Sequence, residues 1–250
     1  HKHPEMTLRF SSNDLRVFPI DPARFPRVVF FTGAGMSQES GVPTYRGKGG
    51  VWAQYDYEEY ACEQAFRRDP AKVWNFHDQR RTTTGACAPH AGHLAIAAYQ
   101  KAHPSTRVVT QNIDGLHQRA GATDVTELHG SLWRVRCASC GVVVEDRSAP
   151  IASRRHTCGG WWRPDIVWFG DALRTEVFDA ARAALERASL VVSVGTSAVV
   201  YPAASLPEVA RARGATLVEV NPEDTPLTPL FDVVVRAPAG EALPRLLGSA

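Results

Sequence analysis

The stretch VVFFTGAGMSQESGVPTY, residues 28–45, decides the fold of this chain. It opens with the apolar, β-prone run that is typical of a buried parallel strand, and Gly33 and Gly35 follow where a helix would begin. Glycines at such a turn let the backbone approach a pyrophosphate, and the free amides of the helix N-terminus point at it. A glycine turn after a strand is also often only a turn, so this stretch alone leaves both interpretations open.

The acidic residue that commonly binds a ribose about 20 positions after such a turn is not evident. Asp56 has that spacing, but it lies among tyrosines and glutamates rather than at the end of a buried strand. The chain must therefore hold a ribose in another way.

Strand-like apolar runs alternate with helical patterns, which predicts an α/β fold with a doubly wound parallel sheet. In such folds ligands bind beyond the carboxyl ends of the strands, where this sequence repeatedly has polar residues. These residues are Gln111, Asn112 and Asp114 after one strand, His129 after the next, Gly195, Thr196 and Ser197 after a third, and Asn221 after a fourth. Residues 165–170 predict one more apolar strand.

Cysteine spacing predicts a metal site. Cys137 and Cys140 form a Cys-x-x-Cys pair followed by Gly141, a knuckle that directs two thiolates at one metal ion. Cys158 adds a third thiolate, and His156 is the obvious fourth ligand of a tetrahedral, structural zinc site. The alternative is that His156 is a surface residue and that the site is three-coordinate, completed by water or lost.

Composition limits the function classes. The formal net charge of +2 gives no electrostatic case for binding nucleic acid or a membrane surface. No apolar stretch approaches the roughly 20 residues of a membrane span. No signal peptide is visible, and we interpret residues 1–5 as a tag remnant before a native start at Met6, so we expect a cytoplasmic protein. Nothing in the sequence sets the oligomeric state.

Ordered motifs over about residues 25–247 carry a family resemblance. They are GAGMSQESGVP from Gly33, TQNIDGLH from Thr110, ELHG from Glu127, the cysteine cluster, RPDIVWFG from Arg163, GTS from Gly195 and VN from Val220. Together they resemble the motifs of the sirtuins, the NAD-dependent protein lysine deacylases, and are similar to the bacterial class related to desuccinylases and demalonylases.

The resemblance implies a Rossmann-like domain with a helical insertion and a small zinc-binding module. Residues 25–45, 91–132 and 165–250 would form the NAD-binding domain. Residues 46–90 would form the helical insertion with the cofactor loop, and residues 133–164 the zinc-binding module. Residues 1–24 would be an N-terminal tail.

The resemblance also implies how NAD, the co-substrate, is bound. The pyrophosphate would lie on Gly33, Ala34 and Gly35, and the adenosine ribose on Asn221. Asn112 and Asp114 would line the pocket for the nicotinamide carboxamide. Further implied contacts are Thr44, Tyr45, Arg46, Gln111, Ile113, Gly195, Thr196 and Ser197.

His129 is the implied catalytic base, since an unperturbed pKa of about 6.5 lets a histidine accept a proton near neutral pH. In the implied mechanism the acyl-lysine amide oxygen attacks the anomeric carbon of the nicotinamide ribose, and nicotinamide leaves. His129 then deprotonates the ribose hydroxyl system, so that the 2'-oxygen attacks the imidate carbon. Water releases free lysine and 2'-O-acyl-ADP-ribose.

The implied partner is an acyl-lysine protein segment, which would pair as an extended strand with two loops. The implied substrate contacts are Val167, Trp168, Phe169 and Gly170 in one loop, Val200 and Tyr201 in the other, and Ala61, His77 and Arg80 near the acyl group.

Residues 77–80 bear on the acyl group. Sirtuins that favour succinyl groups carry Tyr-x-x-Arg where this chain has His77 and Arg80. A guanidinium would hold the distal carboxylate, and a His77 imidazolium would add charge, so we expect desuccinylation beside deacetylation. If Arg80 is only an exposed helix arginine, the enzyme is a plain deacetylase.

Two other functions fit the same residues. An NAD hydrolase or ADP-ribosyltransferase would use the pocket without an acyl-lysine peptide. A non-catalytic module that senses NAD or ADP-ribose would have no need of His129 as a base.

Overall fold

The computed structural model describes residues 7–11, 20–45 and 49–248. Arg46, an expected NAD contact, lies outside the described residues. The strands are β1 (Leu8–Ser11), β2 (Val28–Thr32), β3 (Arg107–Thr110), β4 (Val125–Glu127), β5 (Gly130–Cys137), β6 (Val143–Glu145), β7 (Trp162–Ile166), β8 (Leu190–Val194), β9 (Thr216–Val220) and β10 (Val233–Arg236). The α-helices are α1 (Tyr57–Tyr60), α2 (Glu63–Arg68), α3 (Pro70–Gly85), α4 (Ala91–Ala102), α5 (Leu116–Arg119), α6 (Thr175–Arg187), α7 (Leu206–Ala212) and α8 (Ala239–Leu246).

The main sheet is parallel, with the order β1-β10-β9-β8-β2-β3-β4. All residues of β2 and β8 are buried, because apolar layers cover both faces. Phe30 contributes to one layer with Ile96 of α4, and Phe31 to the other with Leu185 of α6. The chain order reverses between β2 and β8, which opens a crevice beyond their carboxyl ends. The expected doubly wound α/β fold is confirmed.

Part of the segment expected to be an N-terminal tail forms the edge strand of this sheet. Residues 8–11 form β1, which pairs in parallel with β10. Phe10 packs against the apolar layer on one face of the sheet, which gives this segment a reason to pair.

A second, antiparallel sheet has the order β6-β5-β7. The strand expected at residues 165–170 is wrong in extent, because β7 covers Trp162–Ile166, and it belongs to this small sheet, where it pairs with β5. Arg163 and Asp165 alternate with apolar residues along β7, a two-residue period that suits a sheet with one polar face. The boundaries expected at 132/133 and 164/165 both fall inside strands of this small sheet.

Helices α2 and α3 pack on the apolar face of the small sheet. Trp74 of α3 and Phe66 of α2 share a buried cluster with Val135 and Trp162. The Trp74 indole donates to the Trp162 carbonyl at 2.6 Å. The helical region and the small sheet therefore share one core. Among the described residues, no helix is both long and apolar enough to cross a membrane.

Candidate functional site

A cleft of about 1270 Å³ lies at the carboxyl ends of the parallel strands, facing the helical region and the end of β7. It gathers expected contacts from distant parts of the sequence. Those on the sheet side are Gly33, Ala34, Gly35, Thr44, Tyr45, Gln111, Asn112, Ile113, Asp114, His129, Gly195, Thr196, Ser197 and Asn221. Those on the opposite side and in the loops are Ala61, His77, Val167, Trp168, Phe169, Gly170, Val200 and Tyr201.

The turns that follow β2 and β8 meet in the cleft. The Gly35 amide donates to the Gly195 carbonyl at 2.8 Å, and the Gly33 amide to the Val194 carbonyl at 3.0 Å. A Cβ on Gly35 would lie 2.8 Å from the Gly195 Cα. These glycines therefore permit close contact between two loops. A 3-10 helix (Ala34–Ser40) follows β2, and the expectation of free amides at the helix start is wrong for Gly33 and Gly35, because both of their amides are already bonded.

Hydrogen bonds fix the polar groups after β3. Asn112 Nδ2 donates to the Gly33 carbonyl at 2.9 Å, and Ser37 Oγ donates to Asp114 Oδ2 at 2.6 Å. Burial raises the pKa of Asp114, while its hydrogen bonds from Ser37 and from the Leu116 amide lower it. Ser37 is a further residue of the site that was not expected from the sequence, although its place in the glycine motif was an available signal.

The orientation of His129 is set by the backbone. Its Nδ1 lies 3.0 Å from the Gln111 carbonyl oxygen. A carbonyl only accepts, so Nδ1 carries the proton and Nε2 is the basic nitrogen of the neutral ring. The His129 carbonyl in turn accepts from the Val167 amide at 2.9 Å. The half-buried His129 is thereby bonded to one side of the cleft through its ring and to the other through its backbone.

Asn221 is oriented in a similar way at the end of β9. Its Nδ2 donates to the Thr196 carbonyl at 2.8 Å, and its backbone amide donates to the Val235 carbonyl at 3.1 Å. Its Oδ1 is therefore oriented as an acceptor at this end of the cleft.

His77 lies deep in the helical wall of the cleft and is 2% exposed. Its ring centroid is 5.2 Å from that of Phe76 and 5.8 Å from that of Trp168. Burial, together with the charges of neighbouring arginines, lowers the pKa of His77 to about 3, although a hydrogen bond with the Tyr60 backbone opposes the shift. The ring is neutral at physiological pH, so the expectation that a His77 imidazolium adds charge is wrong.

Arg80 does not line the cleft. Its guanidinium carbon lies 5.7 Å from the ring centroid of Phe76, which does line it. Burial raises the pKa of Tyr45 to about 12, and the charge of Arg80 opposes this rise. The charge of Arg80, at a half-buried position on α3, therefore acts on Tyr45, which lines the cleft.

The predicted metal ligands converge away from the cleft. The ligand atoms of Cys137, Cys140, His156 and Cys158 all lie within 4.8 Å of one another. Three thiolates and one imidazole match tetrahedral zinc, and the cluster sits on the small sheet beside Trp162. None of the four lines the cleft, which fits a structural role.

Comparison with known sequences agrees with this geometry. A family model described as the Sir2 family matches residues 33–202. The chain is 48% identical over 223 residues to NAD-dependent protein deacylase 2 of Pyrobaculum aerophilum, covering 88% of this chain and 89% of that one. It is 46% identical over 229 residues to an NAD-dependent protein deacylase of Mycobacterium tuberculosis, covering 88% of this chain and 96% of that one.

Solved structures give the same result. A Sir2 homologue in complex with NAD superposes with a TM-score of 0.83 and 44% identity, covering 91% of this chain and 90% of that one. A Sir2 homologue variant with 2'-O-acetyl-ADP-ribose superposes with a TM-score of 0.84 and 45% identity, covering 91% of this chain and 92% of that one. A Sir2–p53 peptide–NAD+ complex superposes with a TM-score of 0.78 and 30% identity, covering 90% of this chain and 93% of that one.

The family model spans most of the chain, and close relatives align along nearly all of it. The chain therefore belongs to the Sir2 family, the sirtuins.

Proposed function

We propose that this chain is an NAD-dependent protein lysine deacylase, which yields nicotinamide, deacylated lysine and 2'-O-acyl-ADP-ribose. The observation that carries the proposal is the placement of His129, with its Nδ1 held by a carbonyl, in one cleft with Asn112 and Asp114. Relatives of this chain are named as deacylases, and similar structures hold NAD, an acyl-ADP-ribose and a peptide.

NAD binds along the floor of the cleft. The pyrophosphate would lie beside the two glycine loops, with the Ala34 amide at the start of the 3-10 helix as its donor. Asn221 Oδ1 accepts from a hydroxyl of the adenosine ribose. Asn112 and Asp114, held by Gly33 and Ser37, present an amide and a carboxylate to the nicotinamide carboxamide. Arg46, Thr44, Tyr45 and the residues around Gln111 and Thr196 complete the proposed contacts.

The catalytic step assigned to the protein is proton removal. His129 Nε2 accepts a proton from the ribose hydroxyl system of the substrate. The imidazolium then formed is stabilised by its Nδ1–H bond to the Gln111 carbonyl. The aromatic wall of Trp52, Phe76 and Phe169 excludes water from the reacting atoms.

The acyl-lysine segment enters beside the loop 167–170 and the loop that contains Val200 and Tyr201. Tyr201 is 63% exposed, so its ring is available to a partner. The peptide would pair with these loops through its backbone as an extended strand, and such pairing depends little on the amino-acid sequence of the peptide.

Cys137, Cys140, His156 and Cys158 hold one zinc ion in this proposal. The ion cross-links the small sheet and stabilises it, and the residues of the cleft carry out the chemistry.

The test is mass spectrometry of matched acetyl-lysine and succinyl-lysine peptides, with and without NAD. Wild type should remove acyl groups only with NAD, and His129→Ala should lose at least about a hundred-fold in rate. His103→Ala, a histidine outside the cleft, serves as the matched control. Consumption of NAD without deacylation would favour the hydrolase or transferase, and inert NAD would favour a sensing module.

We also propose that the enzyme accepts succinyl as well as acetyl groups, with Arg80 supplying positive charge near the acyl end. Arg80→Met should lower desuccinylation much more than deacetylation, whereas Arg67→Met, at an exposed helix position, should change neither. Equal losses on both peptides would contradict this assignment.

A further inference from the structure

One face of the small sheet carries a cluster of charges that the deacylase chemistry does not use. Arg134 and Arg136 lie two residues apart on β5, and the register places Arg136 opposite Arg163 of β7. Asp165 follows two residues after Arg163, so all four side chains share one face. The other face is apolar and packs on the helical region.

This charged face borders a second cavity, of about 280 Å³. Arg174, directly before α6, also lines this cavity. Ile166, Val167 and Asp171 line both this cavity and the main cleft. The second cavity therefore opens beside the loop that the proposed peptide substrate contacts.

The arginines of this cavity exceed their acidic partners in donor capacity. Asp165, which is 3% exposed, accepts from Arg134 at 3.3 Å, from Arg136 at 3.3 Å and from Arg174. Arg134 has a second acceptor in Glu127 at 2.6 Å. Arg136 and Arg174 share the single oxygen Oδ1 of Asp165.

Two guanidinium groups are therefore available to a ligand. The side chains of Arg136 and Arg174 are 32% and 41% exposed, and within the described chain Asp165 is the one acceptor that each contacts. Each guanidinium has five N–H donors in a planar fork, which suits a carboxylate. Arg163 and Arg174 place positive charge near Arg136, and Asp165 and Asp171 offset part of it.

We propose that Arg136 and Arg174 bind an aspartate or glutamate side chain of the substrate segment, at a position that flanks the acyl-lysine. The inference rests on the proposed deacylase function and adds a specificity subsite to it. An extended peptide advances about 3.3 Å per residue, so a side chain near the acyl-lysine reaches a cavity that adjoins the cleft. The enzyme would thus select acyl-lysines in acidic surroundings.

The experiment is a positional scan with acetyl-lysine peptides. Each flanking position in turn carries Glu in one peptide and Gln in its partner, and kcat/KM is measured for both. At one position, or two adjacent ones, wild type should prefer Glu by about five-fold, the size expected for one partly exposed charge pair. The gain should appear in KM and shrink at high salt, because salt screens exposed charges.

Variants locate the preference. Arg136→Gln and Arg174→Gln should each bring the Glu/Gln ratio at that position close to one, whereas Arg136→Lys should retain part of it. Arg182→Gln is the control, since it removes the same charge from an exposed ion pair on α6. A Glu/Gln ratio near one at every position in wild type, or a ratio that survives both variants, overturns the inference. Loss of deacylation on all peptides would instead be a failure of the proposed function.

Discussion

At the scale of single residues, Ser37 shows how one hydroxyl supports the cleft. It is 1% exposed and donates to Asp114 Oδ2 at 2.6 Å, while Asp114 is itself 5% exposed. A buried carboxylate without its donor costs free energy, because water cannot replace the lost bond.

We therefore expect Ser37→Ala to lower the free energy of unfolding by about 1–3 kcal/mol and to weaken NAD binding. Urea unfolding and NAD titration would measure the two effects. Ser105→Ala, which removes an exposed hydroxyl bonded to the Pro26 carbonyl, should cost less than about 0.5 kcal/mol. Equal costs for the two variants would contradict the role of Ser37.

Buried histidines give the protein a pH dependence. Burial lowers the pKa of His77 to about 3, of His117 to about 4 and of His93 to about 2. In the unfolded chain each binds a proton near pH 6.5, whereas in the folded chain each does so only at lower pH. Above about pH 6.5 these histidines are neutral in both states and take nothing from the free energy of unfolding, which falls as the pH decreases below that value.

The free energy of unfolding should fall between about pH 6.5 and 5, by up to about 1.4 kcal/mol per pH unit for each buried histidine. Carboxylates of the unfolded chain still keep their charge in this range. Urea unfolding across the range measures the slope, and His77→Phe should make it shallower by about one proton. A flat profile in wild type would argue against neutral, buried imidazoles.

At the scale of elements, the loops after β2 and β8 act as one unit. Gly195 has φ +63°, and a Cβ there would lie 2.2 Å from the Met36 amide nitrogen. Gly214 also has a positive φ, +90°, but a Cβ there would meet nothing within 4 Å. The two glycines separate the cost of backbone conformation from the cost of close contact.

Gly214→Ala should cost about 1 kcal/mol, the penalty for an alanine in the left-handed region. Gly195→Ala should cost several times more and abolish NAD binding, because the two loops must separate. Thermal unfolding and NAD titration of both variants provide the comparison. Similar effects would mean that φ alone explains Gly195.

At the scale of the whole molecule, the metal cluster shares a buried core with the wall of the cleft. Cys137 is 1% exposed and belongs to the same buried cluster as Trp74, Phe66 and Trp168. Trp168 lines the cleft. We therefore expect a change at the metal site to reach the cleft through the shared core.

We expect elemental analysis to find about one zinc per chain, and Cys140→Ser or a strong chelator to remove it. Removal should lower the melting temperature and the rate of deacylation together. Cys87→Ser, whose half-buried thiol lies outside the cluster, should keep the zinc. Full activity of the metal-free protein would contradict the coupling.

The sequence by itself determined the features that local patterns encode. Apolar runs that end in polar residues located β2, β3, β8 and β9, because strand burial and strand-end polarity are properties of short segments. The spacing of Cys137 and Cys140, with His156 and Cys158, placed four ligands that the fold brings together.

Tertiary structure decided what depends on distant partners. Residues 162–166 joined the small sheet because β5 offered a matching polar face. Ser37 and Asp114 are 77 positions apart in the sequence, and the pairing of β2 with β3 brings them into hydrogen-bond contact. His77 lost its charge because aromatic rings enclose it, and a pKa follows the surroundings of a side chain rather than its neighbours in sequence.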